Sequence, residues 1–230
     1  MKIIAINGSP RGRKSTTYMM VEEFLKGTRE CGCTDSHILL SEMNIHHCMG
    51  CFHCWRTKQG CVFNDDMKKI LPLDCDILVF ASPLYVDNIS GLLKNFLDRR
   101  VVSSNPLIEG DANGESVHVK DRPRAKFIAI SNCGYPEQSH FEVLRLLFRR
   151  MARNAESELI GEIYRGQGPL LQYGGPELKF VIDEYKALLR TAGREIAERL
   201  SFSEETKRKL EEPLIPNDEY LKGHNDIFLT

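Results

Sequence analysis

The chain has 230 residues, a formal net charge of −1 and 42% hydrophobic residues. This length suits one domain with appendages, and the apolar content is too high for a disordered chain. The near-neutral charge gives no electrostatic attraction to nucleic acid or to an anionic membrane, and no apolar run is long enough to span a bilayer. Because the start MKIIAING also lacks a signal-peptide pattern, we expect a cytoplasmic protein with no nucleic-acid or membrane partner.

Buried apolar segments alternate with helical patterns along the chain. Strands are predicted at 2–7, 37–40, 76–82, 126–131 and 158–164. Helices are predicted at 16–30, 90–99, 141–152, 177–200 and 203–211. This alternation favours a mostly parallel sheet that is covered by helices on both faces. Five strands fit a doubly wound sheet, which binds ligands at the carboxyl ends of its strands.

The first loop, NGSPRGRKSTT at 7–17, follows a strand and begins a helix. It differs from a nucleotide-triphosphate loop because Arg13 stands where the second glycine belongs. Backbone N–H groups and the positive end of the helix dipole converge at such a loop, where hydroxyl side chains add further donors. The loop therefore predicts a site for one terminal phosphate, and Ser15–Thr17 are also expected to cap the helix.

A compact cysteine run follows the second predicted strand. CMGCFHCWRTKQGC places Cys48, Cys51, Cys54 and Cys61 at the spacing C-x2-C-x2-C-x6-C. Bacterial ferredoxins use a related run with a shorter last gap to hold a cubane cluster, whereas zinc sites more often pair two C-x2-C hooks across a long loop. Disulfides are not expected in the cytoplasm. A [4Fe–4S] cluster, free thiols near a cofactor, and zinc are all left open.

A second loop and its helix, SPLYVDNISGLLKNFLDR at 82–99, come directly after a buried strand. Together with NGSPRGRKSTT, this segment resembles the paired motifs of the flavodoxin-like NAD(P)H-dependent FMN reductases. The cysteine spacing also resembles that of the iron–sulfur flavoproteins, a branch of the same group. The resemblance covers most of residues 1–200. The first loop is one residue longer than the usual pattern, which leaves open whether Arg11, Arg13 or Lys14 reaches the phosphate.

The resemblance implies a flavodoxin-like α/β fold, with a five-stranded parallel sheet in the order 2-1-3-4-5. It implies an FMN-binding domain at 1–200, with a cysteine-rich loop at 46–66 and an insertion at 103–123, followed by a C-terminal tail at 201–230. The insertion reads either as a surface loop or as an active-site lid or subunit contact. The tail is expected to pack across the surface or onto a partner subunit, and related families imply a homodimer or a homotetramer.

The resemblance also assigns site residues. Those that would bind the FMN phosphate are Ser9, Arg11, Ser15, Thr16 and Thr17. Those that would lie along or near the flavin ring are Pro83, Leu84, Tyr85, Val86 and Asn88. Those that would meet the other side of the flavin from the third loop are Asn132, Cys133 and Gly134. No catalytic acid or base is predicted, and Asp98 is expected to pair with Arg99 at the end of its helix.

The leading hypothesis is an FMN-dependent oxidoreductase that uses NAD(P)H as co-substrate and a small-molecule electron acceptor. The alternative is an electron-transfer protein in which FMN and a [4Fe–4S] cluster at the four cysteines exchange electrons with ferredoxin-like partners. A third hypothesis is a zinc-stabilised nucleotide-binding or regulatory protein.

Overall fold

A computed structural model describes residues 1–112, 114–119 and 125–229, apart from the side chains of residues 227 and 228. The strands are β1 (Lys2–Asn7), β2 (Thr34–Leu39), β3 (Ile77–Tyr85), β4 (Asn88–Ile89), β5 (Ile108–Gly110), β6 (Ser116–His118), β7 (Lys126–Asn132) and β8 (Leu159–Arg165). The helices are α1 (Thr16–Glu30), α2 (His53–Thr57), α3 (Met67–Ile70), α4 (Gly91–Arg99), α5 (Glu142–Asn154), α6 (Leu170–Tyr173), α7 (Lys179–Arg199), α8 (Glu204–Glu211) and α9 (Asn217–Leu229).

Parallel strands form the main sheet in the order β2-β1-β3-β7-β8. When only these five parallel strands are numbered along the chain, the order is the predicted 2-1-3-4-5, so the predicted doubly wound fold is confirmed. The sequence of β1 is almost entirely apolar because alternate side chains point to opposite faces of the sheet and both faces are buried. Ile3 and Ala5 pack in the core that α1 and α7 cover, whereas Ile4 and Ile6 pack in the core that α4 and α5 cover.

The observed elements differ from the predicted ones mainly where the apolar pattern is weak. Strand β2 begins at Thr34, three residues before the predicted start, because this edge strand alternates exposed and half-buried residues. Strand β3 continues past the predicted end to Tyr85 and turns back through β4. The two-residue strand β4 and the C-terminal helix α9 had no clear sequence signal.

The segment that follows α7 packs against its own chain. Phe202 and Leu210 are buried in the core beneath α7. The buried guanidinium of Arg165 donates to the carbonyl oxygens of Glu211 and Glu212 at 3.3 and 2.6 Å. The predicted division into 1–200 and 201–230 stays a prediction, but buried contacts cross it.

The insertion forms an antiparallel hairpin from β5 and β6. Arg153 of α5 pairs with Asp111 and Glu115 of this hairpin at 2.8 and 2.5 Å, which fastens it to the body of the fold. Positions 113 and 120–123 of the predicted insertion lie outside the described residues. Across the part of the chain that is described, no helix combines the length and apolar character that crossing a bilayer would need.

Helices α1 and α7 approach so closely that glycines are required where they cross. A Cβ added at Gly27 would lie 1.9 Å from the carbonyl oxygen of Arg190, and one added at Gly193 would lie 2.1 Å from that of Phe24. Real Cβ atoms do not approach backbone oxygens this closely, so a side chain at either position would push the helices apart.

We therefore expect Gly27→Ala to lower the free energy of unfolding by about 2–3 kcal/mol, as overpacking of a tight core does. Gly223→Ala in α9 is the matched control, because a Cβ there meets no atom within 4 Å. That change is expected to be neutral or to stabilise by up to about 1 kcal/mol through helix propensity. Chemical denaturation of both variants measures the difference, and equal midpoints would contradict the close approach.

Candidate active site

A cavity of about 160 Å³ lies where β1, β3 and β7 end, at the carboxyl edge of the sheet. Eleven of the thirteen residues predicted for the cofactor line it: Ser9, Arg11, Ser15, Thr16, Thr17, Pro83, Leu84, Tyr85, Asn132, Cys133 and Gly134. The other two predicted residues are not part of this lining: Val86 lies on the turn after β3, and Asn88 begins β4. Residues from three separate loops are therefore brought to one place.

The hydroxyl groups of the first loop are held by specific partners. The Ser15 hydroxyl accepts a hydrogen bond from the Tyr18 N–H at 3.0 Å and donates to the Gly12 carbonyl at 2.7 Å, so it caps α1 as predicted. The Thr17 hydroxyl accepts from the Asn132 side chain at 2.8 Å. Because the first N–H groups of a helix have no intrahelical acceptor, this end of α1 presents donors to an anion.

The structure separates Arg11 from Arg13. Arg11 lines the cavity, where its guanidinium lies over the ring of Tyr173 and donates to the Tyr173 hydroxyl. Arg13 instead pairs with Glu42 at 3.2 Å and lies over the ring of Tyr18, and the carboxylate of Glu42 raises the pKa of its guanidinium. Arg11 is therefore the better placed of these two side chains to meet a bound anion.

Ser90 joins the first loop to the second. Its hydroxyl donates to the Gly8 carbonyl at 2.6 Å and accepts from the Leu93 N–H at 3.2 Å, which caps α4. Its backbone N–H donates to the Ser82 hydroxyl at 2.8 Å. The fit also requires a glycine at position 8, where a Cβ would lie 2.6 Å from the Cβ of Leu93.

The turn between β3 and β4 exposes apolar groups beside the cavity. Tyr85 is 45% exposed and Val86 is 98% exposed. Val86 and Asp87 have φ angles of 48° and 57°, a conformation that β-branched residues rarely adopt. Tight hairpin turns of this kind normally use Asn and Gly. An exposed valine in a left-handed conformation is the kind of local strain that concentrates at functional sites.

The third loop is fixed by backbone contacts from β8 and the C-terminal segment. The Cys133 N–H donates to the Arg165 carbonyl at 3.0 Å, and the Tyr220 hydroxyl donates to the Gly134 carbonyl at 2.5 Å. Burial raises the pKa of the Cys133 thiol to about 11. The thiol therefore stays protonated at neutral pH, and it donates to the Tyr135 carbonyl at 3.3 Å.

Three residues of the site were not predicted from the sequence: Pro169 and Tyr173, which line the cavity, and Tyr220, which holds its third loop. A signal for the first two exists, since the segment GQGPLLQYGG follows the last parallel strand and therefore begins at the same edge of the sheet. No comparable signal marks Tyr220, which is 86 residues away from its partner in sequence.

The four cysteines of the compact run share a second cavity. Cys48, Cys51, Cys54 and Cys61 line a space of about 300 Å³, whose wall also includes Arg99. Within the described ranges, no three or more His, Cys, Asp or Glu side chains come together as a metal site would require. The donor set is thus the one that an iron–sulfur cluster uses, with four thiols on one cavity, but the sulfur atoms do not converge.

A buried ion pair closes the segment that carries these cysteines. Arg99 and Asp65 have side chains only 2% and 0% exposed, and they contact each other at 2.6 Å. Arg99 also donates to the His46 carbonyl at 2.7 Å, so it contacts both ends of the segment. Burial disfavours the charged form of Asp65, but hydrogen bonds from Arg99 and from backbone N–H groups outweigh it and hold its pKa well below the usual range.

The predicted pairing of Asp98 with Arg99 is therefore wrong. Asp98 pairs with Lys94, one helical turn earlier, at 2.6 Å, and its side chain is 46% exposed. Neighbouring residues on a helix point in directions about 100° apart, so α4 turns Arg99 inward and leaves Asp98 at the surface.

Comparison with protein families finds one that matches most of the chain. The model of the family described as NADPH-dependent FMN reductase matches residues 1–154.

Curated relatives are named as iron–sulfur flavoproteins. One from Methanocaldococcus jannaschii is 30% identical over 135 residues, which cover 56% of this chain and 67% of the relative. Another, from Archaeoglobus fulgidus, is 35% identical over 101 residues, which cover 43% of this chain and 48% of the relative. The chain thus matches two thirds of the first relative and about half of the second.

Solved structures share the fold at low sequence identity. An FMN-dependent NADH-azoreductase from Bacillus anthracis, in complex with FMN, is 17% identical with a TM-score of 0.61, over 86% of this chain and 99% of that one. An NAD(P)H:quinone oxidoreductase from Methanothermobacter marburgensis is 15% identical with a TM-score of 0.61, over 86% and 98% of the two chains. These similarities support the flavodoxin-like architecture described above.

The buried pair of Asp65 and Arg99 generates a direct test. Asp65→Asn would leave the Arg99 cation buried without a charged partner, so we expect it to lower the free energy of unfolding by about 3–5 kcal/mol. Hydrogen exchange is expected to rise first in residues 46–66, because the pair fastens that segment.

Asp98→Asn is the matched control for this substitution. It removes an exposed carboxylate from the same helix, and a surface ion pair contributes at most about 1 kcal/mol. If both variants unfold at the same denaturant concentration, the pair does not hold the cysteine segment.

Proposed function

The chain belongs to the NADPH-dependent FMN reductase family, and from that premise we propose that it is an oxidoreductase that binds FMN at the carboxyl edge of its sheet and uses NAD(P)H. The observation that carries the proposal is the single cavity into which three strand-end loops bring the predicted residues. FMN, when bound, would supply the redox chemistry, and the protein supplies binding, orientation and electrostatics.

The first loop would hold the FMN phosphate. Arg11 supplies the cation at the cavity, and the first turn of α1 supplies backbone N–H donors. The Ser15 hydroxyl already donates to the Gly12 carbonyl, so its main contribution is to fix the shape of the loop. The Thr17 hydroxyl accepts from Asn132 and keeps its own hydrogen for donation to the phosphate.

The flavin ring would lie at the rim of the cavity. A space of about 160 Å³ is smaller than the roughly 300–1,000 Å³ of pockets that enclose a whole ligand. Pro83 and Leu84 line its wall, and the exposed side chains of Tyr85 and Val86 extend the apolar surface outward. One face of the ring would then stay accessible to NAD(P)H, to a small-molecule acceptor or to a second subunit.

Cys48, Cys51, Cys54 and Cys61 would hold a [4Fe–4S] cluster as a second redox centre. Two observations support this part of the proposal: the four thiols line one cavity, and the relatives at 30–35% identity are named iron–sulfur flavoproteins. A cluster would supply one-electron transfer. Cluster binding would have to bring the four sulfur atoms closer together. The backbone would have to change at the two ends of α2, where Phe52 and Lys58 adopt left-handed conformations.

One observation favours the second candidate function, electron exchange with a ferredoxin-like partner. Met49, Phe52 and Val62 are each about half or more exposed, at 65%, 50% and 48%, beside the cysteine cavity. Exposed apolar groups that adjoin a redox centre suit contact with another protein. Assembly as a homodimer or homotetramer and a cytoplasmic location complete the proposal and rest on the sequence analysis.

The assignment of Arg11 to the phosphate has a matched control in Arg13. We expect Arg11→Ala to weaken FMN binding about tenfold to a hundredfold, the value of one hydrogen bond to a charged group. Arg13→Ala is expected to leave the affinity within about twofold, because Arg13 is paired with Glu42 and Tyr18. Quenching of flavin fluorescence measures both, and riboflavin, which lacks the phosphate, should bind the wild type and Arg11→Ala equally.

The second centre is tested by metal and sulfide analysis of protein purified without oxygen. We expect about four iron and four acid-labile sulfide per chain. Cys54→Ser should lose iron but still bind FMN, and Cys31→Ser, which lies far from the run at the end of α1, should keep both. Zinc without iron, or no metal, would rule out the cluster but not the flavin site.

A further inference from the structure

A network of hydrogen bonds reaches the backbone of the first loop from Asn7, His37 and Glu22, which do not line the cavity. The Ser9 N–H donates to Asn7 Oδ1 at 2.9 Å. Asn7 Nδ2 lies 3.1 Å from His37 Nε2, and His37 Nδ1 lies 2.7 Å from Glu22 Oε1. Asn7 is fully buried, and the His37 side chain is 7% exposed and stacked on the ring of Tyr18. This hydrogen-bond network connects strand β2 and helix α1 to the loop that would hold the phosphate.

The partners determine where each proton lies. Since Asn7 Oδ1 accepts from the Ser9 N–H, its Nδ2 group must face His37. An amide nitrogen only donates, so His37 Nε2 must accept and therefore carries no proton. The Nδ1–H then donates to the carboxylate of Glu22. All the bonds are satisfied together only when the imidazole of His37 is neutral.

Protonation of His37 would reverse this order. A hydrogen on Nε2 would face the Asn7 amide hydrogens, and Asn7 could accept it only by rotating its amide. The rotation would turn Nδ2 toward the Ser9 N–H, so two donors would meet and the bond to the loop would be lost. The charged groups around the ring are Glu22 and Asp35, which favour the imidazolium, and Arg13, which opposes it. Burial has the largest effect and lowers the pKa of His37.

We propose that neutral His37 is a positioning residue for cofactor binding: through Asn7 it fixes the backbone of Ser9 in the first loop. The inference rests on the proposed FMN site, although His37 itself does not line the cavity. It predicts that FMN binds more weakly when His37 is protonated. Because the folded protein disfavours that protonation, the effect appears as the pH falls below the ordinary range of a histidine, near 6.5.

The sign of one NMR measurement tests the proposal. His37 is titrated by its ring resonances in the wild-type chain, with and without saturating FMN. Binding equilibria are reciprocal, so if the neutral ring favours FMN, then FMN must raise the acid dissociation constant of His37 by the same factor and lower its pKa by the logarithm of that factor. The loss of one hydrogen bond predicts a factor of about fivefold to tenfold. A nearby phosphate acting only through its charge would instead raise this pKa.

A variant provides the second measurement. In His37→Gln the side chain cannot titrate, so the fall in FMN affinity between pH 7.5 and 5 should be smaller than in the wild type, by up to about fivefold to tenfold when His37 is fully protonated. The phosphate of FMN itself titrates near pH 6 and changes the affinity of both proteins. The contribution of His37 is therefore the difference between the wild-type and the His37→Gln profiles. His118 lines neither the FMN cavity nor the cysteine cavity, so His118→Gln should keep the wild-type pH profile of FMN binding.

The outcomes separate the two proposals. A His37 pKa that FMN raises or leaves unchanged, or a pH profile that His37→Gln does not alter, overturns the positioning role while the FMN site stands. If the wild-type chain fails to bind FMN at any pH, the proposed function fails instead. The NMR titration needs no variant, so misfolding of His37→Gln does not protect the proposal.

Discussion

The hydroxyl of Ser90 is the interaction on which the geometry of the site depends. Three loops at one sheet edge would each be free to adopt its own conformation unless something set them relative to one another. Ser90 does so for the first two loops: its hydroxyl donates to the Gly8 carbonyl and caps α4, and its N–H donates to the Ser82 hydroxyl. The third loop is joined to the first by the Asn132 side chain, which donates to Thr17. Because Ser90 is buried, losing either partner would leave a polar atom without water to replace it.

Much of the fold could be predicted because its pattern is local. Continuous apolar runs mark strands that are buried on both faces, and loops at their carboxyl ends supply the site. Pairings between distant segments left no such trace. Nothing near Asp65 in sequence indicates that its partner is Arg99, 34 residues later, and the adjacent Asp98 offered a plausible wrong answer. The start of strand β2 was predicted three residues too late for a different reason. The first residues of this edge strand are largely exposed, so they carry no apolar pattern that would mark them as a strand.

Polar groups in this protein are buried where they determine position. Asn7, Ser90 and Asn132 are buried at the sheet edge, and each side chain is hydrogen-bonded to a distant part of the chain. Arg99, at the other end of α4, is bonded in the same way to the cysteine segment. Each such group costs desolvation energy that an apolar side chain would not, and each gains directionality that an apolar contact lacks. A site that must orient a planar cofactor benefits from that exchange, whereas the cores on either side of the sheet are apolar.

Helix α4 has one further consequence. Its cap, Ser90, touches the first loop, and its last residue, Arg99, holds the cysteine segment. The nine-residue helix that begins after Ser90 and ends with Arg99 spans about 13 Å at the usual helical rise. The separation of the two regions is thus a property of backbone length, which no point substitution can alter. Adding or removing one residue would also rotate Arg99 by about 100° away from Asp65. Substitutions can therefore change the first loop or the cysteine segment separately. The distance between them can change with Arg99 still facing Asp65 only if α4 gains or loses about one whole turn.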